Sequence, residues 1–255
     1  MDGWRRWSAI VALVAMLVAG CGAGSSPQPS LEPRDEVVAA LRSTADLQTV
    51  HALLRIEVGG LADETTTLTI EGDVDIAARE LDVTAAFVPE VFGATGGRFV
   101  VVDGLSFSRQ DDAEWSISGD GVSDPLAMVP TTARIAEVIE AALRDPATTI
   151  RREGVEDCGD ARCDRIRAEI PADVAWLALN RMIRPEGQPE ASLQPLPSGF
   201  PGFAIDLWIE QGSHRLRQAT NTTVVDRTTI SIVVALSAHD EPVTIRPPIE
   251  PPASR

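Results

Sequence analysis

A strict alternation of apolar and polar residues, repeated in many short segments, is the feature of this sequence that most constrains its fold. Between His51 and Val58, one side of an extended chain carries Ala52, Leu54, Ile56 and Val58. Such a period of two indicates a strand with one buried face. Further strands are predicted in 65–76, 80–88, 98–102, 105–109, 114–118, 148–156, 163–170, 203–209, 215–226 and 227–236, with 242–246 as a candidate edge strand. The breaks between them are short and include the hairpin signal Asp103-Gly104, so we expect an antiparallel sheet.

Three segments have helical periodicity instead. Apolar residues recur at three-and-four spacing in 34–47, 130–144 and 172–183, and the second segment stops at Asp145-Pro146. The predicted fold class is therefore α+β, with about ten or eleven antiparallel strands and two or three helices. A sheet of that width curls, and so few helices would leave a concavity lined by the alternating apolar residues. The same residues could instead form a filled core, because alternation fixes only the face on which they lie.

The N-terminus has the features of an export signal. Arg5 and Arg6 precede an apolar and small-residue run, 9–20, that ends in Val18-Ala19-Gly20-Cys21. This run is shorter than the roughly 20 residues that a membrane-spanning helix needs, and small residues at its end are typical of a cleavage site. We interpret 1–20 as a lipoprotein signal peptide and Cys21 as the residue that is lipidated after cleavage. The alternative is an ordinary secretory signal in which Cys21 has no role.

The composition changes after Cys21. Segment 22–33 is rich in Gly, Ser and Pro, which is typical of a flexible tether. The remaining residues, 34–255, are enough for one domain with a core of its own, and no internal repeat divides them. We therefore expect a lipidated N-terminus and tether over 21–33, followed by a single domain over 34–255.

Two further cysteines, Cys158 and Cys163, form an even pair once Cys21 is assigned to lipidation. In an exported chain such a pair predicts a disulfide. The two residues flank the turn signal Gly159-Asp160 between two predicted strands, so the bridge would close a hairpin. The alternative is a metal site, but two thiols without a nearby Cys or His cluster provide too few ligands for zinc.

Charge and motifs argue against several classes of function. The formal net charge is -16, and such an acidic surface disfavours nucleic acid as a partner. The histidines His51, His214 and His239 are isolated, and no nucleophile or phosphate-binding motif occurs, so we expect neither an enzyme nor a cofactor. An acidic cluster could hold calcium but lacks the regular oxygen spacing of a calcium loop, so no metal is predicted; its members are Asp111, Asp112, Glu114, Asp120 and Asp124.

Four segments of the chain resemble a known family. They are 203–217, 236–245 (LSAHDEPVTI), 47–58 (LQTVHALLRIEV) and 99–107 (FVVVDGLSF). Together, and in their order along the chain, they resemble the LppX/LprG lipoproteins, which share a LolA-like half-barrel. The resemblance implies a curved antiparallel half-barrel closed by helices around a hydrophobic cavity that holds the acyl chains of lipids or lipid-linked glycans. It implies no catalytic residues, and the cysteine pair is not part of the shared pattern.

The function expected from these features is a lipid or glycolipid carrier in the cell envelope. The protein would be a monomer, anchored by Cys21 on the extracytoplasmic face of the cell membrane, with an envelope transporter as a candidate partner. The alternative is a module that senses an envelope ligand or docks on a membrane protein without transporting anything. The residues predicted to line the cavity are Leu54, Ile56, Leu68, Ile70, Val83, Phe87, Val101, Phe107, Ile205, Leu207, Ile230, Ile232 and Val234.

Overall fold

Eleven strands and three helices form the fold in the residues that the computed structural model describes, which are 31–61, 64–91, 94–118, 132–183, 195–225 and 227–250. The helices are α1 (Pro33–Ala45), α2 (Thr132–Arg144) and α3 (Ala172–Ile183). The strands are β1 (Thr49–Leu61), β2 (Glu64–Asp75), β3 (Glu80–Val91), β4 (Ala94–Val102), β5 (Leu105–Gln110), β6 (Ser116–Ser118), β7 (Thr149–Cys158), β8 (Ala161–Ile170), β9 (Phe203–Glu210), β10 (Leu216–Val225) and β11 (Thr228–Ser237). All of them belong to the unit Pro33–Arg255.

Local sequence explains where several elements begin and turn. In α1, Pro33 occupies the first helical position, and the first turn carries Asp35 and Glu36, which favour the positive end of the helix dipole. The turn between β4 and β5 uses Asp103 and Gly104, both at positive φ. Two consecutive residues with positive φ are what a tight hairpin requires, so the Asp-Gly signal predicts this turn correctly.

The strands form one open antiparallel sheet. Their order is β6-β5-β4-β3-β2-β1-β11-β10-β9-β8-β7, so β1 and β11, from opposite ends of the domain, pair in the middle of the sheet. The chain leaves the sheet at β6 on one edge and re-enters it at β7 on the other, and α2 lies in this connection. The predicted α+β class, the antiparallel arrangement and the number of strands are confirmed.

The helices pack on one face of the sheet, here called the helix-bearing face. Their buried residues join those of β8–β10 in one apolar cluster, made by Val37, Ala40, Ala142, Leu143, Ile166, Ala168, Ile170, Ala175, Leu207, Ile209 and Leu216. A second, smaller cluster lies on the opposite, outer face. Its buried members are Val100, Val102 and Phe107, and Leu105, Trp115, Ile117 and Ile245 pack against them.

The predicted edge strand over 242–246 does not form. This segment has no regular secondary structure, although it follows β11 directly. Both edges of β11 are already paired, with β1 on one side and β10 on the other, so β11 offers no free edge to the segment. The chain instead crosses β1, where Asp240 N donates to Thr49 O at 2.9 Å, and Ile245 packs against the outer cluster.

Candidate functional site

One face of the sheet carries no charge over most of its width. Residues directly opposite each other in paired strands share a face, and the observed registers therefore assign the face of every strand position. On β1–β5 and β11, the helix-bearing positions are Val50, Ala52, Leu54, Ile56, Val58, Leu68, Ile70, Gly72, Val74, Leu81, Val83, Ala85, Phe87, Gly97, Phe99, Val101, Ser106, Ser108, Gln110, Ile230, Ile232, Val234 and Leu236. None of these side chains is ionisable.

A cavity of about 870 Å³ lies on this face over β2–β5. Its apolar side chains are Ile70, Val83, Ala85, Phe87 and Phe99, all of them half-buried. Its volume falls within the range of about 300–1,000 Å³ that is typical of small-molecule sites. A half-buried apolar surface beside an open volume can bind an apolar chain without first displacing a packed core.

Small residues make room for the cavity. Gly97 lies between Ala85 of β3 and Gln110 of β5 in the register. A Cβ atom added to Gly97 would lie 2.7 Å from the carbonyl oxygen of Arg109, so the close approach of β4 and β5 requires glycine at this position. The floor of the cavity is therefore partly backbone.

The row at the other end of the same face is partly buried. Val50, Val74, Leu81 and Val101 are directly opposite one another in β1 to β4. Val50 and Val101 are buried. Val74 and Leu81, between them, are half-buried, so this row is covered best at its two ends.

Twelve of the thirteen residues predicted to line a cavity share the helix-bearing face. Three of them, Ile70, Val83 and Phe87, line the cavity itself. Leu207 is buried beneath the helices, and Ile205 packs against the same cluster. The remaining seven, Leu54, Ile56, Leu68, Val101, Ile230, Ile232 and Val234, lie on this face outside the wall of the cavity.

The assignment of Phe107 to this face is wrong. Phe107 is directly opposite Val100, whereas Val101 is opposite Ser106. Its side chain therefore lies on the outer face, where it is fully buried in the smaller cluster. The apolar run from Phe99 to Val102 hides the face of β4 from a sequence argument, because it does not alternate.

Eight residues that line the cavity were not predicted from the sequence, namely Ala85, Gly96, Gly97, Arg98, Phe99, Ser108, Arg109 and Gln110. Ser108 and Gln110 alternate with Phe107 and Arg109, and this pattern marks them as one face of β5. Only the pairing with β4 shows that this polar face adjoins the apolar one.

Two smaller cavities, each of about 520 Å³, have charged walls. One lies between α1 and α2 and is lined by Arg42, Glu137, Glu140 and Arg144 among others. The other lies near the start of α3 and includes Glu169. The cavity over β2–β5 also has Arg98 and Arg109 in its lining, but it is larger and its other lining residues are uncharged, so it is the better candidate site for an apolar chain.

The predicted disulfide between Cys158 and Cys163 is present. It joins the ends of β7 and β8 across their tight turn, and Cys163 is fully buried. The bridge lies at the β7 edge of the sheet and is remote in sheet order from the cavity, which spans β2–β5.

Three ionisable groups with shifted pKa values lie away from the cavity lining. On the outer face, the hydrogen bond from His51 Nδ1 to Asp73 Oδ1, at 2.7 Å, raises the pKa of His51. Burial lowers the pKa of His239, whose Nε2 donates to Leu216 O at 3.2 Å. In α1, burial raises the pKa of Glu36, although its carboxylate is bound by Arg152. None of these groups faces the cavity, so they do not bring charge to it.

Several predictions concern residues outside the described part of the chain. These are the signal peptide, Cys21 with most of the tether, and Asp120 and Asp124 of the acidic cluster. Among the described residues, no group of three or more His, Cys, Asp or Glu side chains is placed to hold a metal ion. The described helices include none that is long and apolar enough to cross a membrane.

The fold and the cavity define a class of protein: an open antiparallel half-barrel with helices on one face and a ligand-sized apolar cavity. No protein-family model matches the chain. The lipoarabinomannan carrier protein LprG of Mycobacterium tuberculosis (strain ATCC 25618 / H37Rv) is 26% identical over 257 residues, which cover 94% of each protein. LprG of Mycobacterium bovis (strain ATCC BAA-935 / AF2122/97) matches equally well.

A solved structure shows the same architecture. LprF from Mycobacterium bovis superimposes with a TM-score of 0.52 at 14% identity, covering 87% of this chain and 99% of that one. The M. tuberculosis lipoprotein LppX gives a TM-score of 0.49 at 17% identity, covering 84% and 97%. The resemblance predicted from the sequence is confirmed: the chain is a homologue of LprG and has the fold of LprF.

Proposed function

We propose that this protein is an envelope lipoprotein that binds the acyl chains of a lipid or glycolipid in the cavity over β2–β5 and carries them across the cell envelope. The observation that carries the proposal is the cavity itself, about 870 Å³ in volume and open on an uncharged apolar sheet face. The relative LprG is named a lipoarabinomannan carrier, which is consistent with this use of the fold.

The physical reason for such a carrier is the free energy of exposing acyl chains to water. Each methylene group transferred from water to an apolar surface contributes about 0.8 kcal/mol. A lipid therefore crosses an aqueous space slowly unless a protein covers its chains. The role needs an apolar concavity and no chemical step, so we propose a carrier and not an enzyme.

The proposal includes attachment to the extracytoplasmic face of the cell membrane through lipidated Cys21. Attachment would keep the cavity near the membrane from which the lipid is loaded, with an envelope transporter as a candidate partner. We expect Cys21→Ala to release the protein from the membrane fraction into the soluble fraction. Fractionation followed by immunoblotting tests this, and a variant that stays membrane-bound would overturn the anchor.

Lipid binding is tested by filling the cavity. Ala85 is half-buried in the cavity wall, and its neighbour Ala86 is exposed on the outer face. We expect diacyl or triacyl lipids to co-purify with the Cys21→Ala protein and with its Ala86→Phe variant. The Ala85→Phe variant should carry much less lipid, because the new ring occupies the space of the chain.

Native mass spectrometry of the three proteins, purified from the bacterium, measures the bound lipid directly. Equal lipid loads on Ala85→Phe and Ala86→Phe would show that lipid binds elsewhere. An unloaded Cys21→Ala protein would contradict carriage and favour the alternative of a sensing or docking module. Far-UV circular dichroism confirms that the two variants are equally folded.

A further inference from the structure

The cavity changes from apolar to polar across its width. In the register, Val83, Phe99 and Ser108 are directly opposite one another, and Ala85 and Gln110 flank Gly97. Ser108 and Gln110 therefore form a wall on β5 that faces the apolar residues of β2–β4 across the cavity floor. Neighbouring strands are about 4.8 Å apart, so about 14 Å separates this polar wall from Ile70 on β2.

This polar wall retains its hydrogen-bonding capacity. Ser108 and Gln110 are exposed, and neither side chain makes a hydrogen bond to another residue in the described part of the chain. Ser106 and Ser116 extend the same surface. Ser116, on β6, is directly opposite Ser108, and Ser106 lies two residues before Ser108 on β5. A hydroxyl group and an amide can each both donate and accept, which suits the hydroxyl groups of a sugar or polyol.

Among the described residues, the two arginines in the cavity lining do not turn their side chains toward this wall. Arg98 and Arg109 border the cavity, but they are directly opposite each other on the outer face of β4 and β5. The Arg98 side chain binds the carboxylate of Asp82, with Nε to Oδ1 at 2.8 Å. The Arg109 guanidinium lies over the ring of Trp115, at 5.1 Å from its centroid. An anionic group bound in the cavity would therefore lose water without gaining a positive partner, which is unfavourable.

We propose that the cavity holds its amphiphile in one orientation, with the acyl chain against Ile70, Val83 and Phe87 and an uncharged, hydroxyl-bearing head group at Ser108 and Gln110. This inference rests on the proposed function and adds the position and the charge of the head group. A sugar or polyol unit directly attached to the chain fits this wall. Any phosphate or carboxylate of the cargo must lie beyond β5, on the β6 side of the sheet, in water.

The test compares two soluble probes with the same chain, octyl glucoside and octyl phosphate. Each is titrated calorimetrically into the Cys21→Ala protein, below its micelle-forming concentration. Octyl glucoside should bind at least about tenfold more tightly at neutral pH, because only its head group can be satisfied at the wall. Octyl phosphate binding as tightly as octyl glucoside, or more tightly, would overturn the proposal.

Substitution of the wall locates the head group. Gln110→Ala should weaken octyl glucoside about threefold to tenfold, which corresponds to one lost hydrogen bond, and should leave octyl phosphate unchanged. Gln218→Ala, at an outer-face position of β10, is the matched control and should leave both probes unchanged. A Gln110→Ala variant that retains the full preference for octyl glucoside would overturn the assignment.

The experiments distinguish a wrong head-group inference from a wrong carrier function. If both probes bind, and Ala85→Phe weakens both, but the glucoside is not preferred, then the cavity binds chains and the head-group inference is wrong. If neither probe binds and no lipid co-purifies, the proposed carrier function is itself wrong.

Discussion

The two halves of the helix-bearing face are made from the same kind of strand, yet one is a filled core and the other borders a cavity. Over β8–β10, Ile166, Ala168 and Ile209 are fully buried under the helices. Over β2–β4, Ile70, Val83 and Phe99 are only half-buried, and they face open volume. The difference lies in what covers the strands and not in the strands themselves.

Apolar residues in the two halves leave water at different stages. Under the helices, burial contributes to the stability of the fold, because each side chain leaves water when the chain folds. In the open half, the same side chains leave water fully only when a ligand arrives. We therefore expect substitutions in the covered half to affect unfolding and those in the open half to affect binding.

The largest expected effect comes from removing the same side chain in each half. Ile166→Ala should lower the free energy of unfolding by about 3 to 4 kcal/mol, because it leaves a void in a packed cluster. Ile70→Ala should lower it by only about 1 kcal/mol, because water already reaches that site. Urea denaturation followed by circular dichroism measures both values. Equal losses would mean that the two halves do not differ in packing.

The disulfide closes the β7–β8 hairpin, which lies in the covered half and not in the half that borders the cavity. Reduction should lower the free energy of unfolding by about 2 kcal/mol, the low end of the usual range, because the closed loop is short. Denaturation with and without reductant measures this. The Cys158→Ala/Cys163→Ala variant is the control and should not respond to reductant. Reduction should leave lipid binding unchanged, because the bridge lies far from the cavity in the order of the strands.

The smallest expected effect is a difference in histidine titration. The hydrogen bond to Asp73 holds the pKa of His51 above its ordinary 6.5, whereas burial holds that of His239 below it. His51 therefore stabilises the fold below pH 6.5, and this contribution disappears as pH rises through its folded pKa. His239 has the opposite sign, so its contribution is present above pH 6.5 and is lost as pH falls through its folded pKa.

NMR titration of the histidine side chains tests both directions. His51→Gln and His239→Gln identify the two resonances by their disappearance. Titration of His51 below His239 would contradict both the contact of His51 with the Asp73 carboxylate and the burial of His239.

Much of the fold could be predicted from the sequence, because alternation and helical spacing are local. The segment from His51 to Val58 predicts β1 and the face on which Leu54 and Ile56 lie, and both are correct. The even cysteine pair predicts its bridge, since both residues flank one turn. Such features depend on neighbours in the chain, and the sequence contains those neighbours.

The predictions that failed depended on distant partners. Phe107 was assigned to the wrong face because the register between β4 and β5 is not visible in the run from Phe99 to Val102. The segment 242–246 has the pattern of a strand, but β1 and β10 already occupy the edges of β11. The polar wall of Ser108 and Gln110 becomes part of a site only through its pairing with β4.

The sequence by itself therefore determined the elements, the alternation of their faces, the cysteine bridge and the family resemblance, because each is carried by residues close together in the chain. Only the tertiary structure decided which apolar face is packed and which is left open. That choice depends on where three helices lie over an eleven-stranded sheet. Burial is a property of what lies above a side chain, and a period of two is the same whether a helix, a ligand or water lies there.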